Sequence, residues 1–374
     1  MTPPTVGILS MQRVINYGSF LQAYALKKLL ENNGAGKIYF LDIIPGRILV
    51  DNPVVKKNIC VVYAQKLFEP GKPFKLISRI KTFLFQKRVA KTIMAAWPLL
   101  NLESKPSGTL DIVVIGSDEV FNCCQDVLWG YSTQLFGDIP TTVARKIVSY
   151  AGSFGHTDLK LLKQYGIEAE VTENLQKLDS ISVRDENSAS IVSQLTSTKP
   201  QIHVDPVLAY GYEKEIENFI ENPMTLPYII IYSYQGRISG KDEVDAIRLY
   251  AKLNNLKLIS IFCRYDWCDK AVVPESPIEV LRWFKFADSI VTDTFHGTIF
   301  SIITKSRFAT LLRPSNTNKL GYLLKVFNLD DRAANPTNIS NILEKSPDYI
   351  QTYDVLKSQR YLTDKYIKEI LNLS

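Results

Sequence analysis

Short apolar runs rich in valine and isoleucine alternate along most of the chain with longer stretches of helical periodicity, and turn residues separate them. Residues 6–11 read as a buried-type strand, apolar positions at helical spacing follow over 19–30, and Gly34 and Gly36 end that helix. Residues 37–43 form the next expected strand. After a long insert come short strands at 111–115, 146–150, 180–183 and 201–204, with a polar, helix-prone stretch at 158–177 among them. A second round begins after Tyr212: strand 227–234, helix 241–255, strand 257–262, helix 277–287, strand 289–293, helix 298–304 and strand 308–312. Such alternation predicts parallel sheets covered by helices on both faces. The expected fold is therefore α/β, with two Rossmann-like domains facing across a cleft, the usual place for a ligand. The expected boundaries are 1–212 for the N-terminal domain, with an insert at about 51–106, then 213–345 for the C-terminal domain and 346–374 for a helical segment.

Charge sets the insert apart. Between Gln65 and Lys91, eight basic residues (Lys66, Lys72, Lys75, Arg79, Lys81, Lys87, Arg88 and Lys91) meet one acid, Glu69, a local net charge of +7. The whole 374-residue chain nets only +6, so elsewhere the charges nearly cancel. Without a larger excess, no nucleic-acid partner is expected. The same segment carries Phe68, Phe74, Leu76, Ile77, Phe83, Leu84 and Phe85, a basic amphipathic pattern. Two readings are open. One is a solvated helix face over a core stripe; the other is peripheral contact with the inner leaflet of a membrane, where each clustered Lys or Arg adds about 1 kcal/mol.

Composition narrows the class further. With 46% hydrophobic and 22% charged residues the chain reads as soluble and globular, not disordered. No run approaches the roughly 18 apolar residues of a membrane span. The first residues lack the basic and apolar regions of an export signal, so the expected location is cytoplasmic. Cys60, Cys123, Cys124, Cys263 and Cys268 are odd in number and have no close Cys/His partners, which argues against a disulfide framework or structural zinc.

Candidate chemistry gathers where strands run into helices. Ser289-Ile-Val-Thr-Asp293 leads directly into Thr294-Phe-His296-Gly297-Thr298, which presents His296 at the carboxyl edge of a parallel sheet beside the N–H groups of a helix start. Such an end suits phosphate or carboxylate, and histidine is the natural general acid near neutral pH. A buried histidine that caps the turn is the plainer alternative. Arg184 ends another strand, before Asp185 and Glu186; it can grip a carboxylate or phosphate bidentately, or form a salt bridge to Asp185 or a neighbouring loop. Asp118, after Gly116 and Ser117, can accept a proton, bind sugar hydroxyls or cap the next helix. Asn16-Tyr17-Gly18-Ser19 joins the first strand to the first helix but lacks a three-glycine dinucleotide pattern. His203 reads as core and His156 as loop surface.

Six blocks occur in order: Asn16-Tyr-Gly-Ser-Phe-Leu-Gln-Ala-Tyr-Ala-Leu26, Gly116-Ser-Asp-Glu-Val-Phe-Asn122, Ser149-Tyr-Ala-Gly-Ser-Phe-Gly155, Ile181-Ser-Val-Arg-Asp-Glu186, Asp205-Pro206 and Thr292-Asp-Thr-Phe-His-Gly-Thr-Ile-Phe-Ser-Ile302. Together they resemble the polysaccharide pyruvyl transferase family, over about residues 6–312. Phe121 stands where the family pattern leads one to expect Trp, and Gly152 where Ala is usual; the insert matches nothing in it.

The resemblance implies an architecture similar to GT-B glycosyltransferases, and transfer of pyruvate from phosphoenolpyruvate to a sugar as a cyclic ketal, in capsule or exopolysaccharide synthesis. It implies a donor side in the C-terminal domain and an acceptor side in the N-terminal one. His296 is the expected proton donor and phosphate contact, with Arg184, Gly297 and Thr298 binding the donor. Asp118 is expected to orient or deprotonate the acceptor, and Asn16, Tyr17, Gly18 and Ser117 to lie on the acceptor side or in the cleft. Phosphoenolpyruvate serves as co-substrate; no cofactor or metal is called for. The expected partner is a saccharide acceptor, with an undecaprenyl-linked form among the candidates. A GT-B-like enzyme using a nucleotide-sugar, or a non-catalytic polysaccharide-assembly protein, are the alternatives.

Overall fold

The computed structural model describes residues 2–50, 73–127, 129–313 and 316–371, with the backbone alone over 73–76. Val6–Leu9 (β1), Ile38–Phe40 (β2), Leu110–Ile115 (β3) and Ala144–Ser149 (β4) form a parallel sheet in the order β2-β1-β3-β4. Ser182–Val183 (β5) and Gln201–Ile202 (β6) extend it through the parallel bridges Val148↔Ser180 and Gly152↔Val183. A second parallel sheet has the order β12-β11-β10-β7-β8-β9. It is built from Tyr228–Tyr232 (β7), Lys257–Ile261 (β8), Lys270–Val272 (β9), Ser289–Thr292 (β10), Arg307–Leu311 (β11) and Ala333–Ala334 (β12). The fold is thus α/β, with two Rossmann-like units facing across a cleft in the GT-B manner.

The central strands are buried on both faces, as Val6-Gly-Ile-Leu9 and Tyr228-Ile-Ile-Ile-Tyr232 show, because helices cover both sides of a parallel sheet. Tyr17–Asn32 (α1) packs with Pro73–Ala95 (α2) and Pro206–Tyr210 (α3) on the apolar core, while α1, Phe295–Ile303 (α4) and Thr317–Val326 (α5) contribute residues to the cleft. The helix expected at 298–304 begins earlier, at Phe295. Thr294 is its N-cap, accepting from Gly297 N at 3.0 Å, so His296 lies inside the first turn. The stretch 158–177 splits into Leu159–Gln164 and Glu168–Leu175.

One apolar core runs through both units, from Phe20 and Leu26 of α1 to Ile230 and Phe300 of the second unit. A second core, around Phe121, Phe136 and Phe154, lies in the first unit. The last helix, Tyr349–Leu371 (α6), straps the two units together. Its first turn rests on the second unit, where the Tyr349 hydroxyl donates to Ser301 O at 3.1 Å. Its later turns lie on the first, where the Tyr366 hydroxyl donates to Ser149 O at 2.7 Å and Lys146 Nζ donates to Ile370 O at 3.0 Å. Part of the basic segment, residues 65–72, lies outside the described residues. No described helix is long and apolar enough to cross a membrane.

Candidate active site

A cleft of about 500 Å³ opens at the carboxyl ends of both sheets, where the loops after β1, β3, β5, β7 and β10 converge. His296 forms part of its wall and is 8% exposed. Its Nε2 lies 3.7 Å from Asp205 Oδ2 and has no hydrogen-bond partner among the described residues. The other unit backs directly onto this ring: a Cβ at Gly18 would come within 2.3 Å of the imidazole. Gly18 therefore permits the close approach of α1 to His296. Burial holds the imidazole below its ordinary pKa, Asp205 and Asp118 pull it upward, and Arg184 and Lys319 add to the depression.

Gly297 and Thr298 face away from the cleft, contrary to the expectation that they bind the donor. The Gly297 N–H is taken by Thr294 Oγ1, and a Cβ there would lie 2.2 Å from Thr292 Oγ1. Thr298 is fully buried; its hydroxyl donates to Thr294 O and meets the Thr310 hydroxyl, each at 3.1 Å. Both residues shape the turn that carries His296. Tyr17 and Ser117 are also turned inward, the former packed edge-on to Phe262, the latter donating to Ala151 O at 3.1 Å.

Asn16, Asp118 and Arg184 do reach the cleft. Asn16 caps α1 by accepting from Gly18 N at 2.7 Å, and its Nδ2 donates to the Tyr234 hydroxyl of the opposite unit at 3.2 Å. Asp118, held at φ +72° by the turn after β3, accepts from Ser19 Oγ at 3.1 Å and lies 3.6 Å from Arg184 Nη1. Arg184 is buried and already partnered. Its Nη1 donates to Asp205 Oδ2 at 3.0 Å, and its guanidinium stacks on Phe295, 4.2 Å from the ring centre. Asp185, the salt-bridge partner considered from sequence, instead caps the helix Glu186–Thr196 through Ser188 N. Asp205 in turn caps α3 through Val207 N, so one carboxylate anchors a helix, an arginine and the cleft histidine.

Sequence reasoning missed Arg237, Glu119 and Lys319. Arg237 follows β7, and its Nε lies 3.0 Å from the fully buried Asp293, which also accepts from Ser233 Oγ at 2.6 Å. Arg237 Nη2 is buried with no hydrogen-bond partner among the described residues. A signal existed: like His296, Arg237 stands just past the carboxyl end of a central parallel strand. Lys319, on α5, crosses the cleft to Glu119 at 2.5 Å. Burial would raise the Glu119 carboxyl, but Lys319 and Asn122 hold it at about 2. No sequence pattern predicted α5, so nothing pointed to its lysine.

The family model for polysaccharide pyruvyl transferase matches residues 16–311, the span that carries the six blocks. The chain belongs to the polysaccharide pyruvyl transferase family. Pyruvyl transfer onto polysaccharide is the activity of that family. No curated protein matches the chain. Among solved structures, it superposes on the N-terminal domain of trehalose-6-phosphate phosphatase from Candida albicans at TM-score 0.46 and 10% identity, covering 99% of this chain and 97% of that one. UDP-GlcNAc 2-epimerase from Methanocaldococcus jannaschii gives 0.46 and 12%, covering 92% of each chain. The S. aureus MnaA–UDP complex gives 0.47 and 11%, covering 97% and 94%. Superpositions this loose bear on neither ligand nor chemistry of this pyruvyl transferase family member.

Proposed function

We propose that the chain transfers pyruvate from phosphoenolpyruvate to two hydroxyls of one sugar in a polysaccharide repeat unit, forming a cyclic ketal. The observation that carries this reading is a pair of buried nitrogens, His296 Nε2 and Arg237 Nη2, which are without partners on the wall of one cleft. An unpartnered buried donor costs about 1–3 kcal/mol. A compact, multiply charged anion satisfies both. The second unit is then the donor side, and Asn16, Ser19 and Asp118 of the first are the acceptor side.

In this scheme His296 protonates the methylene carbon of phosphoenolpyruvate, leaving an oxocarbenium-like centre at the adjacent carbon. One sugar hydroxyl adds there, with Asp118 orienting it. The second hydroxyl then displaces phosphate and closes the ring. Of the two hydroxyl protons, one replaces the proton that His296 gave to the new methyl group, and the other leaves on phosphate. Arg184 lends positive charge at the cleft wall while staying tied to Asp205.

The test is to incubate the protein with phosphoenolpyruvate and a panel of free and lipid-linked galactosides. Phosphate release that depends on acceptor, with a pyruvate ketal in the product spectrum, is expected. Transfer from a nucleotide-sugar instead, or no release with any acceptor, overturns the reading.

A further inference from the structure

The outer face of α2 combines two properties that a solvated helix does not need together. Ile77 is 53% exposed, Ile80 43% and Leu84 53%, and at this spacing the three share one stripe. Lys81 and Arg88 run along one edge of that stripe, Lys87 along the other, and Lys91 continues it toward Met94, itself 49% exposed. The opposite face carries Phe85, Val89 and Ile93 into the core. No acid occurs anywhere in the helix.

We propose that this face of α2 docks the protein on an anionic membrane surface, with Ile77, Ile80 and Leu84 entering the headgroup boundary and the flanking basic side chains reaching the phosphates. Apolar stripe and cationic edges are the combination that lets a helix lie in the interface plane without crossing it. A second copy of this chain is a poor occupant. A two-fold contact would set Lys81, Lys87, Arg88 and Lys91 against their own copies, with no acid to offset them. The helix is also fastened to the cleft: Gln86 Nε2 donates to the backbone oxygen of Phe262 at 3.1 Å, and Phe262 lines the cleft. Docking through α2 therefore holds the cleft rim beside the bilayer, where a lipid-linked saccharide is presented. That benefit rests on the pyruvyl-transfer reading; the docking itself does not.

The full chain is floated with vesicles of phosphatidylcholine plus phosphatidylglycerol and, separately, of phosphatidylcholine alone. Strong association with the first, at least about tenfold weaker with the second and falling as salt rises, is expected. Reversing Lys81, Lys87, Arg88 and Lys91 to glutamate should lower partitioning by more than about a hundredfold. Ile80→Ser with Leu84→Ser should remove the part that survives high salt, and both variants should keep activity on a short free acceptor. Equal binding to neutral vesicles, no binding, an unchanged charge-reversal variant, or a dimer in solution that charge reversal disrupts would each overturn the docking. Absence of pyruvyl transfer to every acceptor, with vesicle binding intact, would overturn only the function proposed for the cleft.

Discussion

The two walls of the cleft handle their charges in opposite ways. On the first unit, Asp118 and Asp205 neutralise Arg184, Ser19 bonds to Asp118, and Asn16 both caps a helix and meets Tyr234. On the second, Asp293 is fully engaged, yet Arg237 keeps one buried nitrogen unpartnered and His296 keeps another. A satisfied polar cluster holds shape. An unsatisfied one is left able to take up an incoming polar group, and on the proposed reading this favours the second wall for the anion and the first for positioning the acceptor.

The most severe test of that division is His296→Ala, expected to lower turnover by about 10²–10⁴ while leaving the fold intact. Wild-type turnover would place proton transfer elsewhere. Next comes a pair, Arg237→Lys and Arg184→Lys. Both keep charge and lose the planar fork. Arg237→Lys should raise the KM for phosphoenolpyruvate about tenfold or more with less effect on kcat. Arg184→Lys should weaken donor binding too, but should also lower the melting temperature because its bond to Asp205 is loosened. Equal melting temperatures with equal KM changes would erase the distinction between the walls.

Asp118→Asn retains an acceptor for Ser19 and removes the charge, and a fall in turnover of roughly 10–100-fold is expected, with donor KM nearly unchanged. A fully active variant reduces Asp118 to a structural tie. The smallest effect is in protonation. Burial depresses the His296 pKa in the free protein, and an anion placed beside it must raise that pKa. The complex then binds more protons than the free protein. Donor binding should take up a fraction of a proton, and affinity should fall as pH rises through and above the depressed free value, by at most about tenfold per unit. Calorimetry in two buffers of different ionisation enthalpy measures the uptake; none, or release, removes His296 from contact with the anion.

The strands and the place of His296 were legible because parallel strands must be continuously apolar and because ligand loops lie at their carboxyl ends. What stayed hidden depended on which way a side chain faces across a turn. Gly297 and Thr298 looked like anion donors until Thr294 claimed the N–H and the core took the hydroxyl. Tyr17 and Ser117 sit in the right loops but point inward. Arg184 was read as an open grip, and only the approach of Asp205, 21 positions later, shows that it is tied. The edge strands β9 and β12 are too short to carry a periodic signal, and α5, with Lys319, has no marker distinguishing it from a loop helix.

The closing helix α6 has a mechanical consequence. Two bodies joined by a single linker can swivel in any direction. Here the chain passes from the first unit to the second ahead of β7 and returns along α6, so the units share two attachments. Two attachments suppress translation of one unit against the other and leave rotation about the line through them as the least hindered movement. Any relative movement of the units works against both attachments and against the apolar core they share, so the alignment of His296 with Asp118 is held by packing as well as by the helix.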